Sequence, residues 1–72
     1  MASSLYKEHL VVSSAKYDLA SDTWTVSILI QWRTEFGQQN FHALHPGERF
    51  EQAAEAESFG IALAKAWIDG QM

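Results

Sequence analysis

The sequence predicts a small α+β domain in which a three-stranded antiparallel meander is packed on one face by a single C-terminal α-helix. Three observations lead to this fold: a central segment that alternates apolar and polar residues, short polar segments suited to chain reversal, and an alanine-rich final third. A chain of 72 residues has room for one domain. We expect that domain to span residues 5–70, after a disordered leader at residues 1–4.

The central segment, residues 24–32, gives the strongest signal, because an apolar residue occupies nearly every second position. The apolar row is Trp24, Val26, Ile28, Ile30 and Trp32. A period of two is typical of a strand with one buried face and one solvated face. We expect a first strand over about residues 6–16 and a third over about residues 40–44. The buried face of the first strand stays open, since Leu10, Val11 and Val12 are consecutive and a slip of one residue would reverse it.

Turn-forming residues separate these strands. Residues 18–23 are rich in side chains that bond their own backbone, and Gly37 suits a positive φ angle in the next reversal. Pro46 and Gly47 mark the loop before the helix. Connections this short favour consecutive strands that pair as neighbours.

The alanine-rich segment predicts a helix over about residues 52–68, with Gly70 just beyond its end. At 100° per residue one face should cover the tryptophan side of the sheet. That face is predicted to contain Ala56, Phe59, Gly60, Leu63 and Trp67. Gly60 would allow helix and sheet backbones to approach closely. Ile61 and Ile68 fall outside this face, so they either touch the sheet edge or the first strand, or form a partner-binding surface.

Composition limits the function classes. The net charge of −4 disfavours a dedicated nucleic-acid binder, since neutralising phosphates drives that binding. The chain has no cysteine, which excludes disulfides and thiolate metal sites. It also has no apolar run of the roughly 18 residues that a membrane span needs. We therefore expect a soluble cytoplasmic protein that does not enter a membrane.

Residues with catalytic or metal-binding chemistry are present but not arranged for it. His42 and His45 are three apart on a strand and should point to opposite faces, and His9 is distant in sequence. The acidic residues at the helix start, Glu51 and Glu55 with Glu57, suit the helix dipole rather than acid–base catalysis. No serine lies in a strand–serine–helix elbow. We expect no enzyme activity, no cofactor and no metal.

The polar face of the central strand is the main candidate for function. A single helix can cover only one face of the sheet, so this second face should stay open. Its residues are Thr25, Ser27, Leu29, Gln31 and Arg33. We expect a non-enzymatic protein-interaction module, with Leu29, Ile61 and Ile68 as partner-binding residues and a homodimer as one form. The alternative is a nucleic-acid-binding module that uses Thr25, Ser27, Gln31 and Arg33.

Two segments resemble a group of small bacterial proteins of unknown function with a βββα arrangement. They are the central Trp24-Thr-x-x-Ile28-x-Ile30 segment and the helix end at Trp67-Ile68-Asp69. The resemblance would cover about residues 6–69. It implies a bacterial source and the same fold, and it transfers no catalytic or binding residue.

Overall fold

In a computed structural model, which describes residues 1–71, the chain forms an antiparallel sheet followed by one helix. The elements are β1 (Ala2–Tyr6), β2 (His9–Asp18), β3 (Thr23–Arg33), β4 (Gln39–Leu44) and α1 (Ala53–Gln71). The strands lie in the order β1-β2-β3-β4, so the sheet is a meander. The α+β class and the single C-terminal helix are confirmed. The prediction of three strands is wrong, because residues 1–71 form four.

The additional strand is β1, which pairs with the start of β2. Residues 2–4 lie in this strand, where the sequence had suggested a disordered leader. Lys7 and Glu8 connect the two strands with φ angles of 47° and 64°. A two-residue hairpin turn of this type, I′, needs positive φ at both central residues, which Asn-Gly supplies most easily. Lys-Glu gives no such signal, so the expected first strand ran through the turn.

The pairing of β2 with β3 settles which side of β2 is buried. Val11 lies opposite Ile30, and Ser13 lies opposite Ile28. Val11 and Ser13 are both fully buried, whereas Leu10 is exposed. The central strand therefore sets the phase of its neighbour, which the three consecutive apolar residues could not do alone.

The core lies between the sheet and α1. Its fully or nearly fully buried side chains are Val11, Val26, Ile28, Ile30, Ala56, Ala64 and Ile68. The two tryptophans of β3 lie at the ends of this core and are only partly buried. Trp24 exchanges backbone hydrogen bonds with Phe50 in the loop before α1, and the Trp32 ring contacts Trp67.

Gly60 lies at the closest approach of α1 to the sheet. A Cβ atom built on Gly60 would stand 2.1 Å from Ser13 Oγ and 3.0 Å from side-chain atoms of both Val26 and Ile28. The Ser13 hydroxyl donates a hydrogen bond of 3.0 Å to the carbonyl of Glu57, one turn earlier in the helix. The close approach expected at Gly60 is confirmed, and it also gives the buried Ser13 hydroxyl a hydrogen-bond partner.

The buried face of α1 differs from the predicted one. The line facing the sheet is Ala56, Gly60, Ala64 and Ile68, at a spacing of four. Phe59 and Trp67 flank it and are partly buried. The helix also continues to Gln71, so Gly70 is a helical residue rather than the first residue after the helix.

Ile68 is therefore a core residue, and its prediction as a partner-binding residue is wrong. Its side chain is fully buried within the chain. Ile61 is partly buried and packs against the same core. The error arose because the predicted helix face was centred on the large side chains. The small residues Ala56, Gly60 and Ala64 face the sheet instead, which rotates the buried face towards Ile68.

Gly60→Ala tests the close approach. The added methyl group would displace Ser13 from its hydrogen bond and crowd two branched side chains, a strain of about 1–3 kcal/mol. Alanine recovers roughly 1 kcal/mol of helix propensity, and the lost hydrogen bond costs about as much. We expect the free energy of unfolding, measured with urea, to fall by about 1–3 kcal/mol.

Gly70→Ala is the matched control, since a Cβ there meets no atom within 4 Å. It should leave stability unchanged or raise it by up to about 1 kcal/mol. Equal effects of the two substitutions would contradict the packing role of Gly60.

Candidate interaction surface

The face of the sheet opposite α1 is uncovered within residues 1–71. The helix packs over β1, β2 and β3 on the side of Ser13, Val26 and Ile28. Side chains alternate along a strand, so the residues between these point away from the helix. We call this side the open face. It contains Leu29, as the sequence predicted, between Val12 on β2 and Ala43 on β4.

Apolar side chains from all four strands meet on this face. Strand pairing places Leu5 opposite Leu10, Leu10 opposite Gln31, and Gln31 opposite Phe41. The adjacent row contains Val12, Leu29 and Ala43. We call these six apolar residues the open-face patch: Leu5, Leu10, Val12, Leu29, Phe41 and Ala43.

Four of the six residues of the open-face patch are exposed to solvent, and Val12 and Leu29 are partly buried. Leu5 is 75%, Leu10 41% and Phe41 60% exposed. Apolar residues scattered singly on a surface need no explanation, but a contiguous group marks an interaction site more often. Leu29 alone gave only a weak hint in the sequence. Its neighbours were missed because they become neighbours only through the strand register, which no local pattern reveals.

The open face is also more cationic than the rest of the chain. Arg33 lies beside the patch at one end, and Lys16 lies towards the other. Arg49 reaches the same face near the β2–β3 turn, where it contacts Asp18 and Thr23. Asp18 is the one acidic residue within the four strands. These three cations and Asp18 together have a formal charge of +2.

Asp18 is the common acceptor of a hydrogen-bond cluster at the end of the open face near the β2–β3 turn. Its carboxylate accepts hydrogen bonds from Arg49 at 2.8 Å, from Ser21 at 3.0 Å and from the Ala20 amide at 3.2 Å. The bond from Arg49 is the largest of the causes that hold the Asp18 pKa below its ordinary value of 3.8. The one carboxylate on this face is thus already neutralised by a neighbouring cation.

The four residues predicted to contact nucleic acid all lie on the open face, but they are not equally available. The Thr25 hydroxyl donates to the Lys16 carbonyl at 3.4 Å, and Ser27 lies 3.3 Å from a ring nitrogen of His45. Gln31 stands within the apolar row between Leu10 and Phe41. Arg33 is exposed beyond the patch.

A second polar cluster ties the β1–β2 turn to the end of α1. Lys7 Nζ donates to Asp69 Oδ1 at 2.6 Å, and the Tyr6 hydroxyl donates to both carboxylate oxygens at 3.0 Å. These bonds, led by the one from Lys7, lower the pKa of Asp69 from its ordinary value. The Asp69 carboxylate in turn raises the pKa of Lys7. The cluster stabilises a turn whose φ angles are unfavourable for Lys and Glu.

The histidines are separated by the sheet. His42 lies on the helix side, where its ring stacks on Trp67 with a centroid distance of 4.3 Å. His45 lies on the other side, next to Ser27. The prediction that these two side chains point to opposite faces is confirmed. Among residues 1–71, no three His, Cys, Asp or Glu side chains are placed together so that they could hold a metal ion.

None of the family models, curated proteins and solved structures compared with this chain matches it. Residues 1–71 contain no helix that is both long and apolar enough to span a membrane. The same residues enclose no pocket. Function is therefore inferred from the surface of this chain alone.

Asp69→Asn tests the cluster through its pH dependence. The folded-state pKa of Asp69 lies below its unfolded value. The stabilisation is therefore present at pH values above the unfolded pKa and is lost as the pH falls through the folded pKa. We expect the free energy of unfolding of the wild type to exceed that of Asp69→Asn at neutral pH, with the difference vanishing in acid.

Urea unfolding followed between neutral pH and about pH 2 would measure this difference. Lys7→Gln should reduce the same pH dependence, because it removes the main cause of the lowered pKa. Parallel plots of unfolding free energy against pH for wild type and Asp69→Asn would contradict a stabilising role of the ionised Asp69 carboxylate.

Proposed function

We propose that this protein is a non-enzymatic protein-interaction module that forms a homodimer through a surface containing Phe41 of the open-face patch. The observation that carries the proposal is the row of exposed apolar side chains, Leu5, Leu10 and Phe41, aligned across the uncovered face. Burying apolar area provides most of the free energy of association. A small domain also gains stability when a second copy covers apolar surface that it cannot bury itself.

The apolar row ends at Phe41 on β4, an outermost strand of the sheet. Aromatic side chains contribute strongly at interface centres. Phe41 is 60% exposed and is the aromatic residue of the patch.

Phe41→Ser should convert the dimer into a monomer. Phe36→Ser is a matched control, because Phe36 is 88% exposed but lies in the β3–β4 turn. We expect the wild type and Phe36→Ser to sediment as dimers at equilibrium and Phe41→Ser as a monomer with unchanged circular dichroism. A wild type that stays monomeric up to about 1 mM would contradict the homodimer, because its association would be weaker than about −4 kcal/mol.

The charge of the open face supports a second candidate, nucleic-acid binding. The overall charge of −4 disfavours it, but this face has +2 and its one carboxylate is bound to Arg49. Lys16, Arg33 and Arg49 would contact phosphates, while Thr25, Ser27 and Gln31 supply hydrogen-bonding groups between them. Such a module would bind weakly, because few phosphates are neutralised, and its affinity would fall with salt in proportion to that number.

The double variant Lys16→Glu/Arg33→Glu tests this second function. Fluorescence anisotropy with labelled single-stranded and double-stranded DNA and RNA at low salt would measure binding. Each lost phosphate contact should reduce the magnitude of the negative slope of log affinity against log salt by about 0.7–0.9. Lys65→Glu, on the helix side, is the control and should weaken binding less. Absence of binding by the wild type at low salt would exclude this function.

A further inference from the structure

We infer that the homodimer forms by antiparallel pairing of the outer edges of two β4 strands, which makes one continuous eight-stranded sheet with Phe41 at the two-fold axis. This inference rests on the proposed homodimer and specifies how the two copies meet. The partner is a second copy of this chain.

The outer edge of β4 offers unused backbone groups. At the β3–β4 hairpin the Thr34 amide donates to the Gln38 carbonyl at 2.8 Å, so residues 34 and 38 form a hydrogen-bonded pair. Such pairs alternate along an antiparallel ladder, so Asn40, His42 and Leu44 direct their backbone groups towards β3. The groups of Gln39, Phe41 and Ala43 point outwards. Within residues 1–71 these three make no backbone hydrogen bond outside the β3–β4 ladder.

The free groups are arranged symmetrically, so a second copy can satisfy all of them. They belong to residues 39, 41 and 43, centred on Phe41. In a two-fold antiparallel pair, Phe41 faces Phe41 of the second copy, and Gln39 faces Ala43 of the second copy. Each of these pairs exchanges two hydrogen bonds, about six in all. An interface of this kind is isologous and closed, as most homodimers are.

Nothing in β4 opposes this pairing. Proteins commonly protect an edge strand with lysine, proline or an inward charge. The sequence of β4, Gln39-Asn-Phe-His-Ala-Leu44, contains no charged residue and no proline. Two copies would therefore meet without charge repulsion. The opposite edge strand, β1, packs against α1. Tyr6 at the end of β1 and Lys7 in the following turn also bond Asp69 of the helix.

Edge pairing would also join the two open-face patches. Phe41 lies on the open face, so its ring would lie beside the ring of Phe41 from the second copy. Aromatic cross-strand pairs contribute roughly 0.2–1 kcal/mol in antiparallel sheets. The apolar row from Leu5 to Phe41 would then continue into the same row of the second copy. This explains why the most exposed aromatic residue of any strand lies on an edge strand.

Ala43→Pro tests the edge pairing, because proline removes an outward amide without breaking the β3–β4 ladder. Ala43→Val is the control that keeps this amide. Leu10→Ser separates edge pairing from stacking of two open faces, since Leu10 lies on the face but away from β4. Sedimentation equilibrium should find Ala43→Pro monomeric, and both Ala43→Val and Leu10→Ser dimeric.

Amide hydrogen exchange of the wild type gives a second measurement that does not depend on the folding of the proline variant. The amides of Phe41 and Ala43 should exchange slowly at concentrations where the protein is dimeric, and faster on dilution. A dimer that persists in Ala43→Pro, or one with unprotected Phe41 and Ala43 amides, would overturn the edge pairing alone. A monomeric wild type would overturn the proposed homodimer itself.

Discussion

The close packing of α1 on the sheet at Gly60 determines the rest of the fold. Because a Cβ atom at this position would overlap Ser13 Oγ, the helix lies nearer to β2 and β3 than larger side chains would allow. The short distance lets the Ser13 hydroxyl reach the Glu57 carbonyl, so a polar residue is tolerated in the core. It also places the aromatic side chains of α1 at the flanks, where Trp67 packs against Trp32 and His42.

The position of α1 also governs the β1–β2 hairpin. Lys7 and Glu8 adopt positive φ angles that cost non-glycine residues free energy. The turn is nevertheless formed, because Tyr6 and Lys7 bond the Asp69 carboxylate near the helix end. A long-range contact thus stabilises a local conformation that the sequence of the turn disfavours. A helix placed further from the sheet would leave this turn without that support.

The sequence predicted those features that depend on local periodicity. The alternation around Ile28 identified the central strand, and Gly37 identified a reversal in which its φ angle is 82°. The features that it missed depend on long-range pairing. The turn at Lys7 lacks glycine or asparagine, so β1 was not predicted from the sequence, and Leu5 was not recognised as a strand residue. Leu10 and Phe41 then had no visible relation to Leu29, so the candidate surface was reduced to one apolar residue among polar ones. Ile68 was misplaced because the predicted helix face was centred on large side chains, whereas the small residues of α1 face the sheet and bring Ile68 into the core.

The two proposed uses of the sheet are compatible, because they employ different groups of the same strands. Edge pairing uses backbone amides and carbonyls that lie in the plane of the sheet, whereas a polyanion would contact side chains that project from it. Pairing through β4 would therefore leave Lys16, Arg33 and Arg49 exposed on the open face. It would also place two such faces side by side, so that a weak face of +2 becomes a continuous face of +4 on the dimer. In that arrangement the acidic residues of the turns and of α1 lie outside the shared surface, and the net negative charge of the chain no longer predicts what that surface binds.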